Sequence, residues 1–206
     1  LIFFILLLPL CQQAQEYSYV HYDEKDGLAG STVYDMCQDR DGFMWFATEN
    51  GLSRFDGTNF KNFTVKDGLP DNEVLKIYCD RKNRLWISTF SKELCYYYNG
   101  HFYDHTNDSI VAGIKLSNLL EVITEDSLGN LYFCDAKRIT SVSKTGKIDI
   151  ISESPGFPKN GSYVGVWSGE SSKGIVYFSN DQSVYLRQDT GYKLVTTLNR
   201  KNTSAN

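Results

Sequence analysis

The sequence predicts an all-β fold, a β-propeller of four-stranded antiparallel blades present as a partial ring of about four to five blades. Three observations carry this. One segment recurs every 41 to 46 residues; strand-like runs alternate with Gly-, Asn- and Asp-bearing turns; and after residue 15 no stretch sustains a 3.6-residue apolar period. Composition agrees, with 14% aromatic residues, only four prolines, and glycines that recur instead of clustering.

The repeat is clearest in its first two copies. "KDGL" at 25–28 returns at 66–69, and Trp45 returns as Trp86, both after 41 residues. Between these anchors "VYDMCQDRDGFMWFAT" (33–48) aligns with "VLKIYCDRKNRLWIST" (74–89), and "RFDGTNF" (54–60) is echoed by "YYNGHF" (97–102). A third copy, "LEVITEDSLGNLYFCD" (120–135), places Tyr132 at the tryptophan position. A fourth, "SSKGIVYFSNDQSVYLR" (171–187), places Tyr177 there. The steps of 41, 46 and 45 residues fall in or near the range of propeller blades.

Each element follows from its residues. "VYDMCQD" reads as a first strand and "RDGF" as a tight turn, while "MWFATE" is a second strand rich in β-formers. "NG" predicts a type I′ hairpin, because both central residues of that turn need positive φ. "LSRFD" is a third strand, "GTN" a turn, "FKNFTV" a fourth strand, and "KDGLPDNE" leads into the next unit. Residues 110–124 are the least regular. About 190 residues beyond the leader, at roughly 43 per unit, give the four to five blades. The tail "LNRKNTSAN" offers no apolar closing strand, so the expectation is the N-terminal part of a longer receptor.

The first ten residues, "LIFFILLLPL", with "CQQAQ" after them, predict a signal peptide over 1–15 that lacks its own beginning. The apolar run is short of the roughly 20 residues that span a bilayer. Cys11 stands where a lipoprotein cysteine would, but "LPL" before it lacks the expected small residue. The expectation is export, with a partial propeller domain over 16–206. Cys37, Cys79, Cys95 and Cys134 sit in strand-like runs without metal-ligand spacing, and read as buried thiols. A net charge of −4 with no basic patch excludes a nucleic-acid footprint.

Conspicuous residues divide into packing and turn chemistry. Trp45, Trp86, Tyr132 and Tyr177 occupy one position per unit, which suits contact between neighbouring blades. Asp39, Asp41 and Gly42 suit a hairpin turn and lack the further ligands of a calcium loop. His101 and His105 are four apart, a spacing that pairs ligands on a helix but not on a strand. No nucleophile elbow or phosphate loop is present, so no catalytic residue, metal or cofactor is assigned. Propeller topology instead places "DGLAGST" (26–32), "DGLPDNE" (67–73), "TENGLS" (48–53) and "TFSKEL" (89–94) on one face. Ser31, Glu49, Asp71, Asn72, Ser91 and Lys92 are the candidate ligand contacts in these loops.

The pattern "V…D..G..W.AT.NGLSRFDG..F..F...DGLP.N.V" resembles the two-component regulator propeller repeat, strongly over 20–102 and in degenerate form over 110–190. The resemblance implies the periplasmic sensor region of a Bacteroidetes-type membrane histidine kinase. In such proteins one or two seven-bladed propellers precede an immunoglobulin-like domain, a transmembrane helix and a cytoplasmic kinase. It further implies an unknown small-molecule or glycan ligand, or neighbouring receptor domains, as partner. The parent would be anchored in the inner membrane with its propeller on the periplasmic face, and capable of homodimerising. The competing readings are a secreted propeller enzyme acting on polysaccharide, a lyase or hydrolase, and a non-catalytic interaction scaffold.

Overall fold

The computed structural model describes residues 19–153 and the strand segments 163–168, 175–179, 183–188 and 191–197. The predicted signal peptide lies outside the described residues. Four four-stranded antiparallel meanders follow one another along the chain. Blade 1 comprises β1 (Val33–Gln38), β2 (Met44–Thr48), β3 (Gly51–Phe55) and β4 (Phe60–Phe63). Blade 2 comprises β5 (Val74–Cys79), β6 (Leu85–Thr89), β7 (Leu94–Tyr98) and β8 (His101–Tyr103). Blade 3 comprises β9 (Leu120–Glu125), β10 (Leu131–Asp135), β11 (Ile139–Val142) and β12 (Ile148–Ile150). Blade 4 comprises β13 (Tyr163–Ser168), β14 (Ile175–Ser179), β15 (Ser183–Gln188) and β16 (Gly191–Thr197). The first strands of consecutive sheets approach one another, as the innermost strands of a propeller do. A five-residue helix, α1 (Ser109–Gly113), interrupts the irregular segment between blades 2 and 3.

One irregularity is common to all four blades. The first strand carries a bulge near its start, between Val33 and Asp35, Val74 and Lys76, Leu120 and Val122, and Tyr163 and Gly165. Counting from this bulge, Trp45, Trp86 and Tyr132 share one register position, opposite Cys37, Tyr78 and Thr124. In blade 4 that position is Val176, opposite Trp167, and Tyr177 falls one residue later. The anchor at Tyr177 is therefore corrected by one residue, and the third step becomes 44. A slip of one residue moves a side chain to the other face of its sheet. With no tryptophan to align on, the aromatic cue falls on the neighbouring Tyr177, one residue past the register position. The fourth unit also begins earlier than the quoted segment, with β13.

The turns correct a second expectation. Asn50 does not have positive φ, so Asn50–Gly51 is not a type I′ turn; only Gly51, at φ 139°, is in that half of the map. A Cβ on Gly51 would come within 2.6 Å of the Phe63 carbonyl oxygen, so close backbone approach also requires glycine there. Two successive positive φ values occur instead at Asn99 and Gly100, 48° and 86°.

Apolar burial lies between the blades. Trp45, Ala47, Leu52 and Phe63 of blade 1 meet Val74, Ile77, Leu85, Ile87 and Cys95 of blade 2, with Leu69 of the connector sealed in the same seam. Trp86, Leu94 and Tyr96 likewise meet Leu120, Ile123, Leu131 and Phe133 of blade 3. Trp45 lies 5.3 Å from the Tyr97 ring and Trp86 lies 4.9 Å from Phe133, so both tryptophans do pack across a seam. Cys37, Cys79 and Cys95 are free thiols, and Cys134 is buried with its sulfur 3.6 Å from the Asp135 carbonyl. Burial pushes Cys37 up to about 12 and Cys79 to about 11, far from thiolate reactivity at neutral pH.

The ring at this register position is also tied to the turn of its own blade in blades 1 to 3. Asp39 accepts the Asp41 and Phe43 amides on one oxygen, at 3.0 and 2.9 Å, and the Trp45 indole N–H on the other, at 2.7 Å. Asp80 accepts the Lys82 and Arg84 amides, both at 2.9 Å, and Trp86 Nε1–H at 2.9 Å. Asp126 does the same with the Leu128 and Asn130 amides and the Tyr132 hydroxyl, at 2.9, 2.8 and 3.0 Å. The aspartate six residues before the ring thus closes the β1–β2-type turn and locates the ring with one carboxylate.

Ser88 is an exception within this order. Its hydroxyl is buried and has no hydrogen-bond partner, whereas the equivalent register position in blade 1 is Ala47. Burying an unpaired hydroxyl is unfavourable. Ser88→Ala is expected to raise stability by about 1 kcal/mol, read as a higher urea midpoint at unchanged slope; a lower midpoint would show that the hydroxyl has a partner.

Candidate functional site

The blade geometry divides the loops between two ends. In blades 1 to 3 the β1–β2 and β3–β4 turns and their equivalents lie at one end, here the lower. The loops that lead into these three blades and their β2–β3-type turns lie at the upper end. All six candidate residues fall at the upper end, and the structure brings most of them together in pairs.

In blade 1, Glu49 accepts the Thr32 amide on both oxygens, at 3.0 and 2.9 Å, and the Ser31 hydroxyl at 3.1 Å. Blade 2 reverses the direction: Asp71 of the lead-in loop accepts the Ser91 amide at 3.1 Å, and the Phe90 amide bonds the Glu73 carbonyl at 2.9 Å. In blade 3, Asp135 accepts the Ser117 and Asn118 amides at 2.6 and 3.2 Å. A carboxylate therefore staples lead-in loop to turn in three successive blades. Asn72 instead accepts the Val65 amide at 3.0 Å, within its own loop. Lys92 is set apart: it sits at φ 65° with its side chain exposed.

Partial desolvation pushes the Glu49 carboxyl up, but the amides of Glu49 and Thr32 and the Ser31 hydroxyl outweigh it and hold its pKa below the ordinary glutamate value. A depressed folded-state pKa contributes stability above the unfolded value, about 4.3, and that stability is lost as pH falls through the folded one. The Thr32 amide resonance is expected to titrate with Glu49, at a midpoint below the ordinary glutamate value. Glu49→Gln should abolish that titration.

A cavity of about 210 Å³ opens at this end between the β6–β7 turn and the segment joining blades 2 and 3. Lys92, Glu93 and Leu94 form one wall, and His105, Val111, Ile114, Lys115 and Leu116 form the other. Leu94, Val111 and Ile114 are buried and make an apolar floor. Asp108 positions the second wall by accepting the Ile110 and Val111 amides, both at 2.9 Å, and the Tyr96 hydroxyl at 2.9 Å. Burial, then the bond to Asp108, pushes the Tyr96 phenol up, so it remains a donor. His105 Nδ1 lies 3.4 Å from Glu93 Oε2, both half-exposed. His101 is at the other end of β8, its Nδ1 3.0 Å from the Asn99 carbonyl.

A second cleft, about 140 Å³, lies at the lower end between blades 1 and 2. Arg54 stands in it with its guanidinium 4.4 Å from the Phe43 ring centroid, flanked by Asp39, Asp41 and Asn83. Of the residues around the upper cavity, the sequence pointed to Lys92 as a ligand contact and to His105 only as half of a histidine pair set aside for metal binding. The signal for the others was the 46-residue step from Trp86 to Tyr132, whose extra residues build the second wall.

Meandering four-stranded sheets, rings sealed between them and loops stapled at one end define a repeat-built propeller. The family model of the two-component regulator propeller matches residues 27–50 and 68–91. These stretches run from each lead-in loop through the second strand, one in blade 1 and one in blade 2. Over 61 residues the chain is 36% identical to histidine kinase P4 of Formosa agariphila, covering 30% of this chain and 4% of that protein. It is similar in fold to the extracellular domain assigned to a hybrid two component system from B. thetaiotaomicron, with TM-score 0.68 and 24% identity over 86% of this chain and 26% of that one. It also resembles a streptogramin B lyase in fold, with TM-score 0.59 and 20% identity over 82% of this chain and 55% of that one. The chain spans a small part of the kinase and about a quarter of the hybrid-system domain.

Proposed function

We propose that this propeller is the ligand-sensing region of an exported, membrane-anchored histidine kinase, lying on the periplasmic face of the inner membrane. The observation that carries the reading is the pair of adjacent blades matching the two-component regulator propeller repeat. Similarity to a histidine kinase and to an extracellular two-component domain supports it. The propeller itself performs no phosphotransfer in this reading. It binds a small molecule or glycan, or a neighbouring receptor domain, and biases the kinase by binding one receptor state more tightly than another. Parent receptors would pair as homodimers.

Reading the gene beyond the last codon of this chain tests the proposal. The expected result is further propeller blades, then a transmembrane helix and a kinase domain in the same frame. A frame that stops after one closed ring would overturn it. The lyase likeness is one of fold, and no observed arrangement at the upper end favours an enzyme.

A further inference from the structure

We propose that the upper-end cavity of blade 2 is a binding site for a small organic acid, a carboxylate carried on one ring or a short apolar chain. The argument begins with charge. Lys92 and Lys115 stand on opposite walls, and among the described residues neither ammonium group is in an ion pair. Glu93 is the only carboxylate in the lining and faces His105 at 3.4 Å. Two cations against one carboxylate leave the rim positive even with His105 neutral. The lower cleft is the contrary case: its one arginine is accompanied by Asp39 and Asp41, so an anion gains little there.

The floor supplies the second half of the recognition. Leu94, Val111 and Ile114 present apolar surface with no polar group of their own. A site with an apolar base and a few charged groups at its mouth orients an amphiphilic ligand with its acid outward. At about 210 Å³ the space is below the roughly 300 Å³ at which drug-sized pockets begin, so it takes one ring or a few methylenes. The walls also come from different elements, the β6–β7 turn and the α1 segment. A bound acid bridging Lys92 and Lys115 would therefore hold blade 2 against the segment that leads into blade 3.

This assigns a ligand class to the sensor reading and rests on it for its meaning. Its test needs no kinase, so the two can fail separately. Isothermal titration calorimetry of the full chain with phenylacetate, phenylacetamide and acetate separates the contributions of charge and ring. Phenylacetate is expected to bind at least tenfold more tightly than the neutral amide or the ringless acid, and to weaken with added salt. Glucuronate as a fourth probe tests the apolar floor: it is expected to bind at least tenfold more weakly than phenylacetate, and equal or tighter binding of this polar acid would overturn the assignment. In the double variant Lys92→Asn/Lys115→Gln, where asparagine tolerates the left-handed backbone at position 92, affinity should fall about tenfold or more with the melting temperature unchanged. Equal binding of the amide, undiminished binding by that variant, or no binding by any of the acids would overturn the assignment.

Discussion

Asp80→Ala is expected to cost about 3–5 kcal/mol of stability. Asp80 is 2% exposed, and its carboxylate is used on every side. One oxygen accepts two turn amides; the other accepts the Trp86 indole and Arg84 Nε, the latter at 2.7 Å. Alanine would leave an indole N–H without its acceptor and a largely buried guanidinium without its counter-charge, and removing one partner of a buried pair is far costlier than replacing both. Asp39 is the internal control. It binds its turn and its tryptophan but has no arginine partner and is only half-buried, so Asp39→Ala should cost clearly less. Urea unfolding of the two variants checks the ordering. Equal losses would mean that the Arg84 bond and the deeper burial contribute nothing.

The second large effect is at the ring itself. Trp86 is fully buried, with Tyr96 of its own blade and Phe133 of the next both at 4.9 Å and the Arg84 guanidinium 4.9 Å from its centroid. Trp86→Ala should destabilise by about 3–5 kcal/mol through lost burial and the cavity left in the seam. Trp86→Phe retains most of the apolar contact and loses the N–H donor, so it should cost a smaller part of that. Because Asp80 and Trp86 touch, the double alanine variant should lose less than the sum of the single losses, by about 0.5–3 kcal/mol. A strictly additive cycle would show that the carboxylate and the ring act independently.

Much of this arrangement was legible in the sequence, and the reasons differ by element. The six-residue interval from Asp39 to Trp45 recurs at Asp80 and Trp86 and at Asp126 and Tyr132, so three blades could be placed and their turns located. The bond between the paired residues was not foreseen, although the constant interval was its trace. Blade 4 was misaligned by one residue because Val176 has no ring to mark the position, and the shared bulge appears only when strands are paired. The upper-end loops followed from topology alone. Which of their side chains remained available did not. Glu49 and Thr32 are seventeen residues apart, and only folding shows that one occupies the other. Lys92 was named for its loop and His105 only as one of a histidine pair set aside as metal ligands, while Lys115 went unnamed because its segment has no counterpart in blade 1.

The aspartate-to-ring bond has a mechanical consequence. Inside a blade, ladder hydrogen bonds and the carboxylate hold turn, strand and ring as one stiff plate. Between blades 1 and 2 there is no such ladder: the polar links are individual side-chain bonds, from Tyr34 to Glu73, from the Ile77 amide and Lys76 to Asp35, and from the Arg40 amide and Asp41 to Asn83, set among rings packed against side chains. Such surfaces slide and tilt more readily than a sheet bends, so compliance gathers at the joints, as in other stacked repeat arrays. A cue received at one joint can travel only as a series of small plate rotations. How much of it arrives then depends on the number of joints it must cross.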